Sequence, residues 1–306
     1  MKQLTPLLIF LSSNLFAQVE LAFTLTEKDL IPEGLAYNPK DNSFFVSSIH
    51  KHKIVRISDN GVCDDFTSSR QDGLGEVLGM KVDTVNQHLW VCSNEVVDGV
   101  TTVSMAHQYN LANKKLIRTF VLNEKGHLFN DVDIANGQVY ITDSDANSIY
   151  TISKTGQLQV YLTDEKLKYC NGLAFNSSGT ILLVSSFSGL YALDMKTRKL
   201  ERMRLPGYHV FGIDGLYCYK NSLIVIQNTS FPESINQYFF NDNISGLSMA
   251  KNLVTADSRF AIPTTGAIAN GWFYFIANSQ LDNFENGLIK DPSKLKDVFI
   301  LRVKIL

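Results

Sequence analysis

Beyond its first seventeen residues the chain has no apolar run long enough to cross a bilayer. Charge of either sign is also not in surplus, with 28 Lys and Arg against 30 Asp and Glu and a net charge of −2. Without a basic field to gather phosphates, neither nucleic acid nor an anionic membrane surface is expected as a partner. Cysteine is scarce. None of Cys63, Cys92, Cys170 and Cys218 stands in a CxxC or other metal-ligand spacing, so the four read as small buried hydrophobes, with one disulfide possible and none assignable. GxSxG, GxxxxGK[ST], GxGxxG and HExxH are all missing, which removes a serine-hydrolase elbow, a nucleotide loop and a zinc-protease helix. With two Trp and no Cys pair, nothing stacks a quinone cofactor. The 3.6-residue period of amphipathic helices is almost absent too.

What is present is strand and turn. At 45% hydrophobic and 19% charged residues the 306-residue chain is globular. Runs of five to seven residues rich in Val, Ile, Phe and Tyr alternate with Asn, Asp, Gly and Ser, the punctuation of an all-β fold. The N-terminus stands apart. Met1 and Lys2 give a positive end, Leu4 to Phe16 an apolar run and Ala17 a small residue at a cleavage point, so residues 1–17 read as a secretory signal peptide. The mature protein, residues 18–306, is then expected to be exported, either secreted or periplasmic, and soluble. No Cys stands at the cleavage point for a lipid anchor.

Six short strands open alike, with a residue usually followed by Gly and then an apolar residue. The openings stand at Glu33, Leu78, Asn130, Asn171, Asp214 and Thr265, separated by 45, 52, 41, 43 and 51 residues, with 41 more to the C-terminus. Each opening is followed by a second run (Phe44 to Ser48 in the first copy) and in most copies by a third and a less regular fourth. Four strands per unit of roughly 40 to 50 residues is the repeat of a propeller blade, and six units predict a single six-bladed β-propeller with four-stranded blades. The last copy lacks a strand while Val19 to Leu25 is an unclaimed strand at the other end. The N-terminal strand is therefore predicted to close the ring as the outer strand of blade six.

In a propeller the first strand of each blade lines the central channel, so the six opening residues should ring one end of the axis. Four of them, Glu33, Asn130, Asn171 and Asp214, are oxygen donors, two with a charge. Such a set suits a hard cation like Ca²⁺, and no His or thiolate cluster accompanies it. Each of the four taken alone also fits a turn before a strand.

The sequence resembles the gluconolactonase and regucalcin group of six-bladed propellers, distantly akin to paraoxonase and diisopropyl fluorophosphatase. The resemblance rests on Pro32, Glu33 and Gly34, on Phe129 to Asp133 followed by Tyr140 to Ser144, on Asn171 to Leu173, and on Asp214 to Leu216. It implies a divalent ion held by Glu33, Asn171 and Asp214, with Asn130 contacting the ion or the substrate. The ion is usually Ca²⁺, with Zn²⁺, Mg²⁺ or Mn²⁺ as other occupants, and Asp214 doubles as general base or nucleophile. Two features depart from the group: Leu128 stands where an Arg binds sugar acids, and Leu78 and the neighbourhood of Asn94 stand where paraoxonase-like members have paired His. With Leu78 and Thr265 completing the ring and the loops contributing Phe187, Tyr208 and Phe231, the pocket is expected to be more apolar than a sugar-acid site. The expected activity is hydrolysis of a neutral lactone or ester, a small-molecule substrate, by a monomer. The other reading is a non-catalytic propeller whose structural ion supports a face for a ligand or partner protein. His50, His52, His127 and His209 read as surface loop residues. Asn176, Asn228 and Asn243 sit in triplets of the glycosylation type.

Overall fold

The computed structural model describes residues 19–153, 155–242 and 244–306. The expected signal peptide, residues 1–17, and Asn243 lie outside them.

Six four-stranded antiparallel sheets follow one another along the chain. Blade one is built from Leu35–Asn38, Ser43–Ser48, Lys53–Ile57 and Cys63–Asp65. The innermost strands of blades two to six are Glu76–Asp83, Phe129–Ala135, Leu173–Phe175, Ile213–Tyr219 and Gly266–Ala269. Each packs beside the next, and the sixth returns to the first, so the blades form the ring of a six-bladed propeller.

The local chemistry explains the meander. Asn136 and Gly137, and again Asn270 and Gly271, adopt positive φ at the tips of the first hairpins of blades three and six. Asn-Gly is the pair that a two-residue hairpin turn with matching twist favours. Second strands are covered on both faces, so Ser43–Ser48 and Ser222–Gln227 are buried throughout and read as unbroken runs rather than alternating ones. The core lies between blades. Ala36, Phe45 and Ile54 of blade one interlock with Val77, Met80, Leu89 and Val91 of blade two, and Ile224, Ile226 and Ile235 of blade five with Phe273, Phe275 and Leu301 of blade six.

Closure follows the expectation from the chain ends. Glu20–Leu25 pairs antiparallel with Val298–Lys304, from Glu20 opposite Arg302 to Leu25 opposite Val298, and becomes the outer strand of blade six. Arg302 reinforces the seam with two bonds to Glu20 Oε2, at 2.9 and 2.7 Å, while its guanidinium lies 4.5 Å above the Trp272 ring.

The cysteines are all free thiols. Cys92 and Cys170 are buried as expected, but Cys63 is exposed, because it opens the short outer strand of blade one, which no further strand covers.

Candidate metal centre

The glycine that follows most opening residues has a steric cause. A Cβ on Gly34 would lie 2.2 Å from the Leu78 carbonyl oxygen, on Gly79 2.6 Å from that of Asn130, and on Gly172 2.4 Å from that of Asp214. Only a residue without a side chain admits the neighbouring blade so closely. The approach is used for hydrogen bonding around the ring. Gly172 N–H donates to Asp214 O and Gly215 N–H to Thr264 O, both at 3.1 Å, while Thr265 Oγ1 donates to Glu33 O across the closing seam. The six opening residues are thus fixed by backbone contacts at one end of the channel.

Glu33, Leu78, Asn130, Asp214 and Thr265 are buried there and Asn171 is half-buried. Among the described residues, seven buried side-chain nitrogen or oxygen atoms have no hydrogen-bond partner. Four of the seven are Glu33 Oε2, Asn130 Oδ1, Asn171 Oδ1 and Asp214 Oδ1, one on each carboxylate- or amide-bearing opening residue of the ring. A buried acceptor left unpaired costs about 1–3 kcal/mol, and more if charged. The remaining atoms of two of these side chains are tied down. Asn228 donates to Asp214 Oδ2, and Asn130 Nδ2 donates to Ser144 Oγ at 3.0 Å.

The carboxylates feel one another. Burial, with repulsion from Asp214 and Asp131, holds Glu33 well above the usual carboxylate range. Burial pushes Asp214 up to about 7, against the pull of the Asn228 amide; Asp131 adds to the push and the Asn171 amide to the pull. Asp131 is the ring carboxylate not assigned from sequence. It occupies the place that Gly takes in the other five blades, and its side chain accepts from Val132 N–H at 2.9 Å and Leu173 N–H at 3.3 Å. That single break in the repeat was the available signal. Among the described residues no three His, Cys, Asp or Glu side chains gather into a metal-holding group. A cation at this end would thus be held by a mixed set of carboxylate and amide oxygens, the kind suited to a hard ion. On the count of unpartnered oxygens and on donor chemistry, Glu33, Asn130, Asn171 and Asp214 fit such an ion.

Beyond the ring the two sides of the channel mouth differ. Over blades six, one and two, a strap following blade six's second strand packs Leu281, Phe284, Ile289 and Leu295 onto Ile31, Ile49 and Leu78, with Leu128 beside them. Gln280 pins the strap by accepting from Lys296 N–H and donating to Lys296 O and Lys28 O. Leu128 therefore belongs to an apolar cover. His127 is half-buried rather than a free loop residue. Its Nδ1 lies 2.6 Å from Asp143 Oδ2. Away from the ring the channel widens into a cavity of about 320 Å³ lined by Lys81, Asp131, Asp133, Tyr217 and Cys218, where Lys81 pairs with Asp133 at 2.8 Å.

A family model described as a repeat of unknown function (DUF6923) matches residues 33–202. No curated protein matches the chain. Among solved structures the chain is similar to the PQQ-bound aldose sugar dehydrogenase of Streptomyces coelicolor, at 13% identity and a TM-score of 0.64, over 94% of this chain and 98% of that one. It is similar to a gluconolactonase from Xanthomonas campestris, at 15% identity and a TM-score of 0.62, over 94% and 90%. It is also similar to the calcium-binding protein regucalcin from Agrobacterium tumefaciens, at 15% and 0.62, over 93% and 95%. At these identities the likeness is one of fold.

Proposed function

We propose that this chain, which belongs to the family of repeats of unknown function (DUF6923), is a divalent-cation-dependent hydrolase of a neutral lactone or ester, with Ca²⁺ the best-suited ion. One observation carries the reading: each of Glu33, Asn130, Asn171 and Asp214 holds a buried side-chain oxygen with nothing to accept from. The names of two similar folds, a gluconolactonase and a calcium-binding regucalcin, point the same way.

When bound, the ion would supply Lewis-acid polarisation of the substrate carbonyl. The protein's own part is positioning and proton transfer. Asn228 fixes one oxygen of Asp214 and leaves Oδ1 free, so Asp214 Oδ1 is the atom that takes a proton from attacking water, with direct attack by the same carboxylate as the variant of the mechanism. Glu33, Asn130 and Asn171 set the position of the ion and hence of the carbonyl. Ile31, Ile49, Leu78 and Leu128 keep bulk water from one side, and the absence of a cation at Leu128 favours an uncharged substrate over a sugar acid.

The test is metal analysis of the purified protein followed by turnover of a panel of lactones and esters, with and without chelator. Chelator-sensitive turnover that Ca²⁺ restores supports the reading. No turnover of any member in the presence of Ca²⁺ overturns it. Asp214→Asn separates enzyme from binder, since loss of turnover with an intact fold is expected only of the former.

A further inference from the structure

Among the described residues every exposed large aromatic side chain lies in one stretch of the chain. Tyr169, Phe187, Tyr208, Phe211 and Phe231 are 57, 74, 70, 45 and 99% exposed, and no Phe, Tyr or Trp elsewhere is exposed to this degree. Solvent-facing apolar groups scattered over a surface need no explanation, but five aromatics gathered beside one site do.

Their loops are tied to the ring. Tyr169 stands two residues before Asn171. Phe187 stands two after Ser185, whose carbonyl accepts from Asn171 N–H at 3.1 Å. Phe211 stands three before Asp214, and its carbonyl accepts from Gln227 Nε2 at 2.7 Å. Phe231 stands three after Asn228, which holds Asp214. Three residues span at most about 10 Å, so these side chains rise within one ligand's length of the two ring residues they flank. Tyr169 and Phe187 meet edge to face at 6.3 Å, and Phe187 N–H donates to Lys168 O at 3.0 Å, binding two of the loops together. The other side of the mouth is covered by the strap on Ile31, Ile49 and Leu78. The side of blades four and five lies outside that strap, and the exposed aromatics stand there.

We infer that Tyr169, Phe187, Phe211 and Phe231 form the subsite for an alkyl or aryl substituent on the molecule whose reacting group sits at the ring. The inference rests on the hydrolase reading and names its substrate class: lactones or esters bearing an apolar tail. Aromatic faces suit such a tail because they offer large rigid area with little rotamer freedom to lose. Continuity with the ring favours a substrate tail over a lipid surface or a partner protein.

The experiment uses lactones of one ring size with substituents of increasing length, and the matching lactams as non-hydrolysed ligands for calorimetry with the Ca²⁺-loaded protein. A methylene withdrawn fully from water changes an equilibrium by about fourfold, so roughly two- to fourfold per methylene is expected in both kcat/KM and affinity until the rim is filled. In the combined Phe187→Ala, Phe211→Ala, Phe231→Ala variant, whose folding is checked by thermal melting, the ratio of longest to shortest tail should fall at least tenfold. An unchanged ratio overturns the inference, as does turnover without tail preference, which leaves the hydrolase reading standing. Tail-dependent binding of the lactams without turnover of any lactone supports the subsite and overturns the hydrolase reading. Sedimentation with phosphatidylcholine vesicles that the variant loses, with an unchanged tail ratio, makes the rim a lipid-docking surface and overturns the inference.

Discussion

Asn228 donates its side-chain amide to Asp214 Oδ2 and, from the same nitrogen, to the Pro263 carbonyl at 3.0 Å. One contact thus ties a ring residue of blade five to the chain entering blade six and leaves Asp214 Oδ1 without a partner. Groups that orient a ligand in this way typically matter 10–100-fold to metal affinity. Asn228→Ala should therefore weaken Ca²⁺ binding by about one to two orders of magnitude in calorimetry while leaving the thermal transition of the apo protein cooperative. Unchanged affinity would mean that Asp214 is not a ligand.

Glu33→Gln separates charge from structure. Glu33 is buried against Asp214 and Asp131, and no cation is among the charges that shift it. Glutamine keeps the neutral side chain that the apo fold prefers without the cost of taking up a proton there, so near pH 7 the apo variant should melt above the apo wild type. The same change removes a charged ligand, so the gain in stability on adding Ca²⁺ should shrink. A wild-type site held at 100 times its dissociation constant gains about 2.7 kcal/mol. Paired melting curves with Ca²⁺ and with chelator give both numbers, and a variant that melts lower in chelator contradicts the charge argument.

Gly172 tests the close approach of the blades. An alanine methyl there would meet Asp214 O at 2.4 Å and Leu216 N at 2.9 Å, both backbone, which cannot rotate away. Blades four and five must then part. Overpacking typically costs about 1–3 kcal/mol, and this contact belongs at the upper end or beyond. Gly172→Ala is expected to lower the unfolding midpoint and to weaken Ca²⁺ binding together, because the displaced strand carries Asp214. Retention of both would show that the strands have room to spare.

The repeat made most of this legible because its cause is steric and recurs in four of the six copies: an inner strand approached by its neighbour needs Gly, and the residue before that Gly is left at the channel. Closure was legible from the unmatched strands at the two ends. What escaped depends on partners distant in sequence. His127 reads as a loop residue until Asp143, sixteen positions on, is found beside it. Asp131 alone breaks the glycine pattern, but that its carboxylate accepts from Leu173 N–H of the next blade is visible only in the fold. Cys63 reads as buried from its apolar neighbour Val62, yet an outer strand has no blade beyond it. Phe187, Tyr208 and Phe231 are visible as loop aromatics, but that Tyr169 and Phe211 join them requires the fold.

The seam makes a separate prediction about stability. Glu20 and Arg302 are each about a third exposed, so their ion pair, although it has two hydrogen bonds, belongs with surface pairs worth about 0–1 kcal/mol. Glu20→Ala should therefore cost little. Removing the whole strand Glu20–Leu25 should cost far more, since it strips Leu25, Ala22 and Phe23 from the core between blades six and one and leaves Val298–Lys304 as an open edge. Chains beginning after Leu25 should unfold at markedly lower denaturant and associate through that edge, as light scattering would register. Equal loss from both changes would place the clasp in the ion pair rather than in the strand.

His107 carries the pH prediction. It is fully buried, with Nε2 2.9 Å from Ser93 Oγ and Nδ1 3.1 Å from Thr119 Oγ1, and burial lowers its pKa to about 4, with Asp72 pulling slightly the other way. The fold thus prefers the neutral ring, whereas the unfolded chain binds a proton at about 6.5. Where the unfolded state holds more protons, stability rises with pH. The contribution of His107 is complete above about 6.5 and is lost as the pH falls toward about 4. The raised carboxylates act in the opposite sense. Glu33 and Asp214 keep their protons in the apo fold at a pH where the unfolded chain has released them, so they lose stability as the pH rises. The two effects separate by difference. His107→Gln keeps a donor and an acceptor in the cavity but cannot titrate, so wild type minus variant, measured by denaturant unfolding at pH 7, 6 and 5, should fall steadily with pH. A difference that stays flat across that window would mean that the imidazole takes up a proton in the fold as readily as in the unfolded chain, with Ser93 and Thr119 both able to accept from it.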